Sequence, residues 1–300
     1  MEAGEAHIIV GLGELLWDCF GEERKPGGAP ANVAFHANQL GAQGVVCSRV
    51  GEDPLGDKLL SFLQAQGLRT DFIQRDDAFP TGTVTVHLEK RDGPAYTIHE
   101  RVAWDRLVWT ESMSTLIRSA SALCYGTLAQ RTASNRAFLQ RCLQAAKGVL
   151  KVYDINLRPP FVDPEWIIPS LEAADVVKLN IDECGALYAQ LDMTPLPPAT
   201  LGKYLNHHFK LRMTCITRGD GGCLLVAPEG VVDLPGIPVE VVDTVGAGDA
   251  FTACLIVGIL RGWPLREIGE RANCLGALVA STMGGMPLID NVLQKIEKCG

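Results

Sequence analysis

Apolar and polar positions follow two alternating periods along this chain. The run His7–Asp18, "HIIVGLGELLWD", is apolar, broken by Gly and polar at its end, and predicts a first strand. "PGGAPANVAFHANQLGA" follows. Its paired glycines read as a turn, Pro30 suits a first helical position, and Val33, Phe35, Ala37 and Leu40 predict a buried helix ending at Gly41. "GVVCSRVG" reads as a strand, and Pro54–Gly67 as an amphipathic helix with Gly67 just past its end. Residues 81–101 alternate β-branched and polar positions around Arg91-Asp92-Gly93-Pro94, the pattern of a β-hairpin.

Beyond the hairpin, strands and helices alternate. "ALCYG", "VLKVYDIN", "DVVKLN", "MTCIT", "GCLLVA" and Val239–Val242 read as strands. Helices are expected at 132–146, 165–173, 182–190, 198–209, 248–261 and 264–282. This alternation predicts a mainly parallel sheet covered by helices on both faces. Ligands of such sheets bind beyond the carboxyl ends of strands. That rule singles out "GELLWD", "PGGAPAN", "YDINLRP", "KLNIDE", "ITRGDGG" and "DTVGAGDAF".

Composition narrows the function. The 300 residues carry a formal net charge of −8, against a nucleic-acid surface. Ten cysteines show no C-x-x-C pair and sit mostly in apolar runs, which predicts buried, reduced thiols and a cytoplasmic setting. The N-terminus is acidic and lacks the basic region of a signal peptide, and no apolar run is long enough to span a membrane. The six histidines have no ligand spacing, and only His99 is placed to face the cleft under the hairpin.

The chemistry concentrates in "DTVGAGDAF". Gly246, Ala247 and Gly248 enter an apolar helix, where unpaired N–H groups and the positive end of the dipole make an anion hole. Asp249 beside it suits a base that takes a proton from a hydroxyl. A helix N-cap acid and an ordinary turn are the competing readings.

"PGGAPANVAFHANQLGAQGVVCSRVGEDPLG" at Pro26–Gly56 and "DTVGAGDAF", about 200 residues apart, together resemble the two signatures of the ribokinase-like (PfkB) sugar kinase family. "GGAPANVA" is most similar to its fructokinase branch. The resemblance covers the whole chain; Cys254 stands where the second signature usually has Ala or Gly. It implies one α/β domain over residues 1–300, a ribokinase-like three-layer sandwich with a small β lid formed by segments near 12–24 and 81–106. It implies transfer of the γ-phosphoryl group of ATP to a primary hydroxyl, most naturally of fructose. Asp249 would be the base, and the backbone of Gly246, Ala247, Gly248 and Asp249 would hold the phosphoryl group.

For the sugar, the resemblance points to Asp18, Gly28, Asn32, Arg101, Asp105 and Arg158. Trp104 would either stack on the sugar or pack the lid. For the nucleotide it points to Lys178, Asn180, Glu183, Thr217, Gly219, Gly222 and Asn273, with Glu183 meeting Mg2+ through water. Solvated or helix-capping roles compete for Asp18, Asn32 and Glu183. Asp243, Val245 and Gly284 would surround a monovalent cation such as K+, although Leu288 stands where some members carry a coordinating Ser. Many relatives dimerise through the lid, so a homodimer through the hairpin edge is a further expectation. The rival readings are a kinase for 2-keto-3-deoxygluconate, ribose or a nucleoside, and a silent family member that only binds. A nicotinamide dehydrogenase lacks support, because no G-x-G-x-x-G follows the first strand.

Overall fold

The computed structural model describes residues 6–87 and 95–299. Among them the chain opens with β1 (Ile8–Leu12), β2 (Leu16–Phe20), β3 (Glu23–Gly27), α1 (Ala29–Gln39), β4 (Gln43–Gly51), α2 (Pro54–Ala65) and β5 (Ile73–Asp76). It continues through β6 (Gly82–His87), β7 (Ala95–Ile98), α3 (Glu111–Ser119), β8 (Ala122–Gly126), α4 (Ala133–Ala145), β9 (Leu150–Asp154), α5 (Pro164–Ala173), β10 (Val176–Asn180) and α6 (Ile181–Gln190). It closes with α7 (Pro198–Phe209), β11 (Met213–Thr217), β12 (Cys223–Ala227), β13 (Gly230–Leu234), α8 (Ala247–Leu260), α9 (Leu265–Ala280) and α10 (Val292–Glu297).

The large sheet has the order β13-β12-β11-β10-β9-β8-β1-β4-β5. Every neighbouring pair from β5 to β11 is parallel, and β12 and β13 add an antiparallel edge. Side chains alternate across it. Val10, Leu12, Leu123 and Tyr125 face Met113, Phe138, Ile167, Leu187 and Leu201 of α3 to α7. Ile9, Ala122, Cys124 and Val152 face Val33, Leu255, Leu275 and Ile296 of α1, α8, α9 and α10. Burying both faces explains the near-continuous apolar strands in the sequence and gives the three layers expected.

A smaller sheet has the order β3-β2-β6-β7. The β2–β3 and β6–β7 pairs are antiparallel, and β2–β6 is parallel. The expected hairpin is thus present as β6 paired with β7; its turn at 91–94 lies outside the described residues.

Two strand expectations need correction. His7–Asp18 is two strands in two sheets: β1 ends at Leu12, and β2 begins at Leu16. Gly13 turns the chain between them at φ +149°, where a Cβ would meet the Pro30 and Ala129 side chains. Val239–Val242 forms no strand, and Val241 is 60% exposed. Pro235 and Pro238 bracket the break after β13 and have no N–H to donate to a ladder. The cysteine expectation also needs one correction. Cys274 in α9 is joined to Cys299 in a disulfide, while the other eight are free and, except for Cys19, buried. No helix among the described residues is long and apolar enough to cross a membrane.

Candidate active site

The carboxyl ends of the parallel strands, the start of α8 and the underside of the small sheet enclose a cleft of about 980 Å³. The start of α8 is shaped by close backbone packing. Gly246, its N-cap, has φ +77°, and a Cβ there would lie 2.5 Å from the Gly285 Cα. Only glycine fits both demands. Gly246, Ala247, Gly248 and Asp249 all line the cleft, so the first N–H groups of the helix face it.

Asn32 of α1 donates from Nδ2 to Asp249 Oδ2 at 2.7 Å. Burial pushes the Asp249 carboxyl up to about 6, and the charge of Asp154 adds to the rise; Asn32, Lys178 and Arg158 oppose it. Beneath it, Lys178 Nζ meets Asp154 Oδ1 at 3.2 Å, and the Thr252 hydroxyl donates to Asp154 Oδ2 at 2.8 Å. Burial pulls the Lys178 ammonium down, yet Asp154, Glu183 and Asp249 outweigh it and the net shift is upward, so Lys178 stays charged. The Lys178–Asp154 pair ties β10 to β9 under the anion hole.

Under the small sheet the cleft is acidic. Burial raises Asp18 to about 6, with Arg158 opposing and Asp243 and Asp249 adding to the rise. Burial raises Glu14 to about 7. Gly28 and Asn32 complete this wall, and Arg158 is its one lining cation among the described residues. Asn156 also faces the cleft, in a left-handed conformation at φ +42°. Leu16, Val84, Tyr96 and Ile98 of the small sheet form an apolar roof.

At the far end, Thr217, Gly219, Gly222 and Asn273 line the cleft. Asn273 donates to the Pro235 carbonyl at 3.2 Å. Lys178 and Asn180 line the middle. Asp243 holds the anion-hole loop in place: Oδ1 accepts from the Val245 N–H at 3.0 Å and Oδ2 from the Gly284 N–H at 2.9 Å. Asp243, Val245 and Gly284 are therefore neighbours.

Five residues singled out in the sequence stand outside the cleft. Arg101 and Asp105 line a separate hollow of about 250 Å³, outside the cleft. There Arg131 clamps Asp105 with two hydrogen bonds, at 2.6 and 2.8 Å. Trp104 is fully buried beneath the Arg131 guanidinium, so it packs the base of the small sheet rather than facing a ligand. His99 bonds Thr85 instead of facing the cleft. Glu183 does not line the cleft either. Its Oε2 accepts from Asn180 N–H at 2.7 Å and its Oε1 from Leu157 N–H at 2.9 Å, a capping box that fixes the start of α6.

Glu14 also lines the cleft; its mark in the sequence is an acid embedded in the apolar run "GELLWD" at a strand end.

The model of the pfkB family carbohydrate kinases matches residues 6–291. The chain belongs to the pfkB family. It is a carbohydrate kinase, a phosphotransferase with an alcohol group as acceptor. This kinase is 32% identical over 312 residues to an uncharacterized sugar kinase of Pyrococcus horikoshii, covering 97% of this chain and 96% of that one. The crystal structure of that relative superposes with a TM-score of 0.83 at 30% identity, covering 97% and 99% of the two chains. Its complex with ATP gives 0.79 at 29% identity, covering 96% and 99%. Fructokinase-2 of Oryza sativa subsp. japonica is 28% identical over 317 residues, covering 97% of this chain and 93% of that one.

Proposed function

We propose that this kinase transfers the γ-phosphoryl group of ATP to a primary hydroxyl of a neutral sugar, with fructose as the acceptor. The observation that carries the reading is Asp249, held by Asn32 at the start of α8, where an anion hole meets a carboxylate. The acceptor oxygen attacks the γ-phosphorus, the bond to the bridging oxygen of ADP breaks, and the hydroxyl proton passes to Asp249. N–H groups at 246–249 stabilise the charge on the moving phosphoryl group. The ATP complex of the Pyrococcus relative supports ATP as donor.

The charges favour a neutral acceptor. Glu14, Asp18 and Asp249 gather at the end under the small sheet, where Arg158 is the lining cation and Lys178 is already paired with Asp154, an environment that disfavours a sugar acid. The fructokinase relatives support fructose among neutral sugars. The small sheet acts as a lid, its apolar roof excluding water from the transfer. Magnesium, when bound, neutralises phosphate charge. Among the described residues no three His, Cys, Asp or Glu side chains converge on one point, so the ion would rest mainly on the nucleotide phosphates, beside Asn180 and Asp182. Glu183 does not line the cleft and both of its oxygens accept backbone N–H groups, which favours contact with such an ion through water. Asp243, Val245 and Gly284 would flank a monovalent cation, and potassium-dependent turnover is its test.

The deciding experiment is ADP release with ATP and Mg2+ across fructose, ribose, 2-keto-3-deoxygluconate and adenosine. The highest kcat/KM is expected for fructose. A higher value for 2-keto-3-deoxygluconate would overturn the neutral-sugar reading.

A further inference from the structure

The phosphoryl transfer leaves one buried acid in the cleft without a task. Glu14 follows Gly13 between β1 and β2, is 3% exposed and lines the cleft under the small sheet. Its Oε2 is buried and has no hydrogen-bond partner. Asn32 Oδ1 is a second buried oxygen without a partner; the amide nitrogen of that side chain is already committed to Asp249. The two residues share one wall. Gly28, the N-cap of α1, lies so close to the Glu14 carbonyl that a Cβ there would overlap it, and the backbone of Glu14 itself and of Ala29 lowers the cost of ionising the carboxylate.

An unsatisfied buried acceptor costs about 1–3 kcal/mol, and native proteins rarely keep such atoms. Two of them in the wall of one cleft suit an occupant that brings hydrogen-bond donors. The occupant is not an anion, given the carboxylates around it. Neutral hydroxyls meet both demands, and two acceptors on adjoining segments match two hydroxyls on one sugar.

We propose that Glu14 is a further acceptor-binding residue: its Oε2 and the Asn32 Oδ1 each accept a hydrogen bond from a hydroxyl of the sugar, so that the site selects the fully hydroxylated acceptor over a deoxygenated analogue. This rests on the reading of the cleft as a neutral-sugar site.

The test compares kcat and KM for fructose, 3-deoxyfructose and 4-deoxyfructose, and for ribose, 2-deoxyribose and 3-deoxyribose, at saturating ATP and Mg2+. Wild type, Glu14→Gln and Glu14→Ala are measured. At pH 8.5, where Glu14, raised to about 7, is ionised, wild type is expected to prefer the parent sugar over one deoxy analogue by about 10- to 100-fold in kcat/KM, the range of a hydrogen bond to a charged group. In Glu14→Ala that preference collapses and KM for the parent sugar rises by a similar factor, while KM for ATP is unchanged. Glu14→Gln keeps an acceptor oxygen and an uncharged, isosteric side chain, and retains part of the preference. Undiminished discrimination in both variants overturns the proposal, as does equal kcat/KM for parent and deoxy sugars in wild type. Collapse seen in the ribose series alone supports Glu14 and rejects fructose. No turnover with either parent sugar rejects both readings.

Discussion

Replacing Asp249 by Asn should disable this kinase and stabilise it. The amide keeps the shape of the side chain, and its oxygen can still accept the 2.7 Å bond from Asn32. Losing the base should lower kcat by about 10²- to 10⁴-fold, the usual worth of general-base catalysis. Stability moves the other way. The fold raises the Asp249 carboxyl from 3.8 to about 6, chiefly through burial and secondly through Asp154. An acid raised on folding holds its proton more tightly in the folded chain. Its ionised form therefore opposes folding, fully above about 6, decreasingly between 6 and 3.8, and not at all below 3.8. That shift corresponds to about 3 kcal/mol at neutral pH. Water on the exposed edge of the carboxylate screens part of it, so about 1–3 kcal/mol is expected.

At roughly 2 °C per kcal/mol for a chain of this size, the Tm of Asp249→Asn should rise by about 2–6 °C at pH 7.5. At pH 5 the gain should be about half as large, because there the linkage is only partly developed. Calorimetry at both pH values, run beside ADP release, reads both effects on one preparation. Loss of activity with an unchanged or lowered Tm would refute the account of Asp249 as a half-buried base held at an energetic cost. Retained activity would refute its role in proton transfer.

Three further outcomes follow from the same geometry. Because Asp249 must be ionised to accept a proton, kcat/KM for the sugar should fall about tenfold per pH unit below about 6; a flat profile from pH 5 to 8 would contradict this. Gly246→Ala, at φ +77° and against the Gly285 backbone, should reshape the anion hole and lower kcat by about tenfold or more, measured against KM for the sugar, which should change little. Lys178→Met strands the buried Asp154 carboxylate and should cost about 3–5 kcal/mol in urea unfolding. The double variant Lys178→Met with Asp154→Asn should recover part of that loss, and no recovery would show that the pair is not the cause.

The sequence made the sandwich legible wherever an element carried its own period. The helices at 54–65, 133–145 and 247–260 sit where apolar spacing and end residues placed them. Short elements such as β5, β13 and α10 had too few residues for a period to emerge. β1 and β2 merged into one apolar run because both are buried, and only the geometry of Gly13 separates them. The valines at 239–242 carried strand propensity without a partner strand, and the flanking prolines prevailed. In the cleft, Gly246 was legible because its positive φ and the close approach of Gly285 admit nothing larger. Asp105 was not, because its partner Arg131 lies on another element and no local pattern announces a tertiary ion pair. Glu183 showed both of its readings in the sequence, and only its hydrogen bonds distinguish them.

The lining charges raise a further question: what draws a phosphoryl group into a cleft with so many acids? Lys178 is already paired with Asp154 and Arg218 with Asp233, and under the small sheet the acids outnumber Arg158. Side-chain charge therefore gives no broad attraction for an anion. What remains is local: the N–H groups at the start of α8 and the positive end of its dipole, which act within about one turn. A phosphoryl group is thus favoured at one place, beside Asp249, and opposed by the acids where the sugar would lie. That place is also tied to the small sheet. Lys25 of β3 reaches within 3.9 Å of Asp243, the residue that holds the anion-hole loop to Gly284. The seating of the small sheet and the shape of the anion hole therefore depend on one shared carboxylate, and a change at either end should be felt at the other.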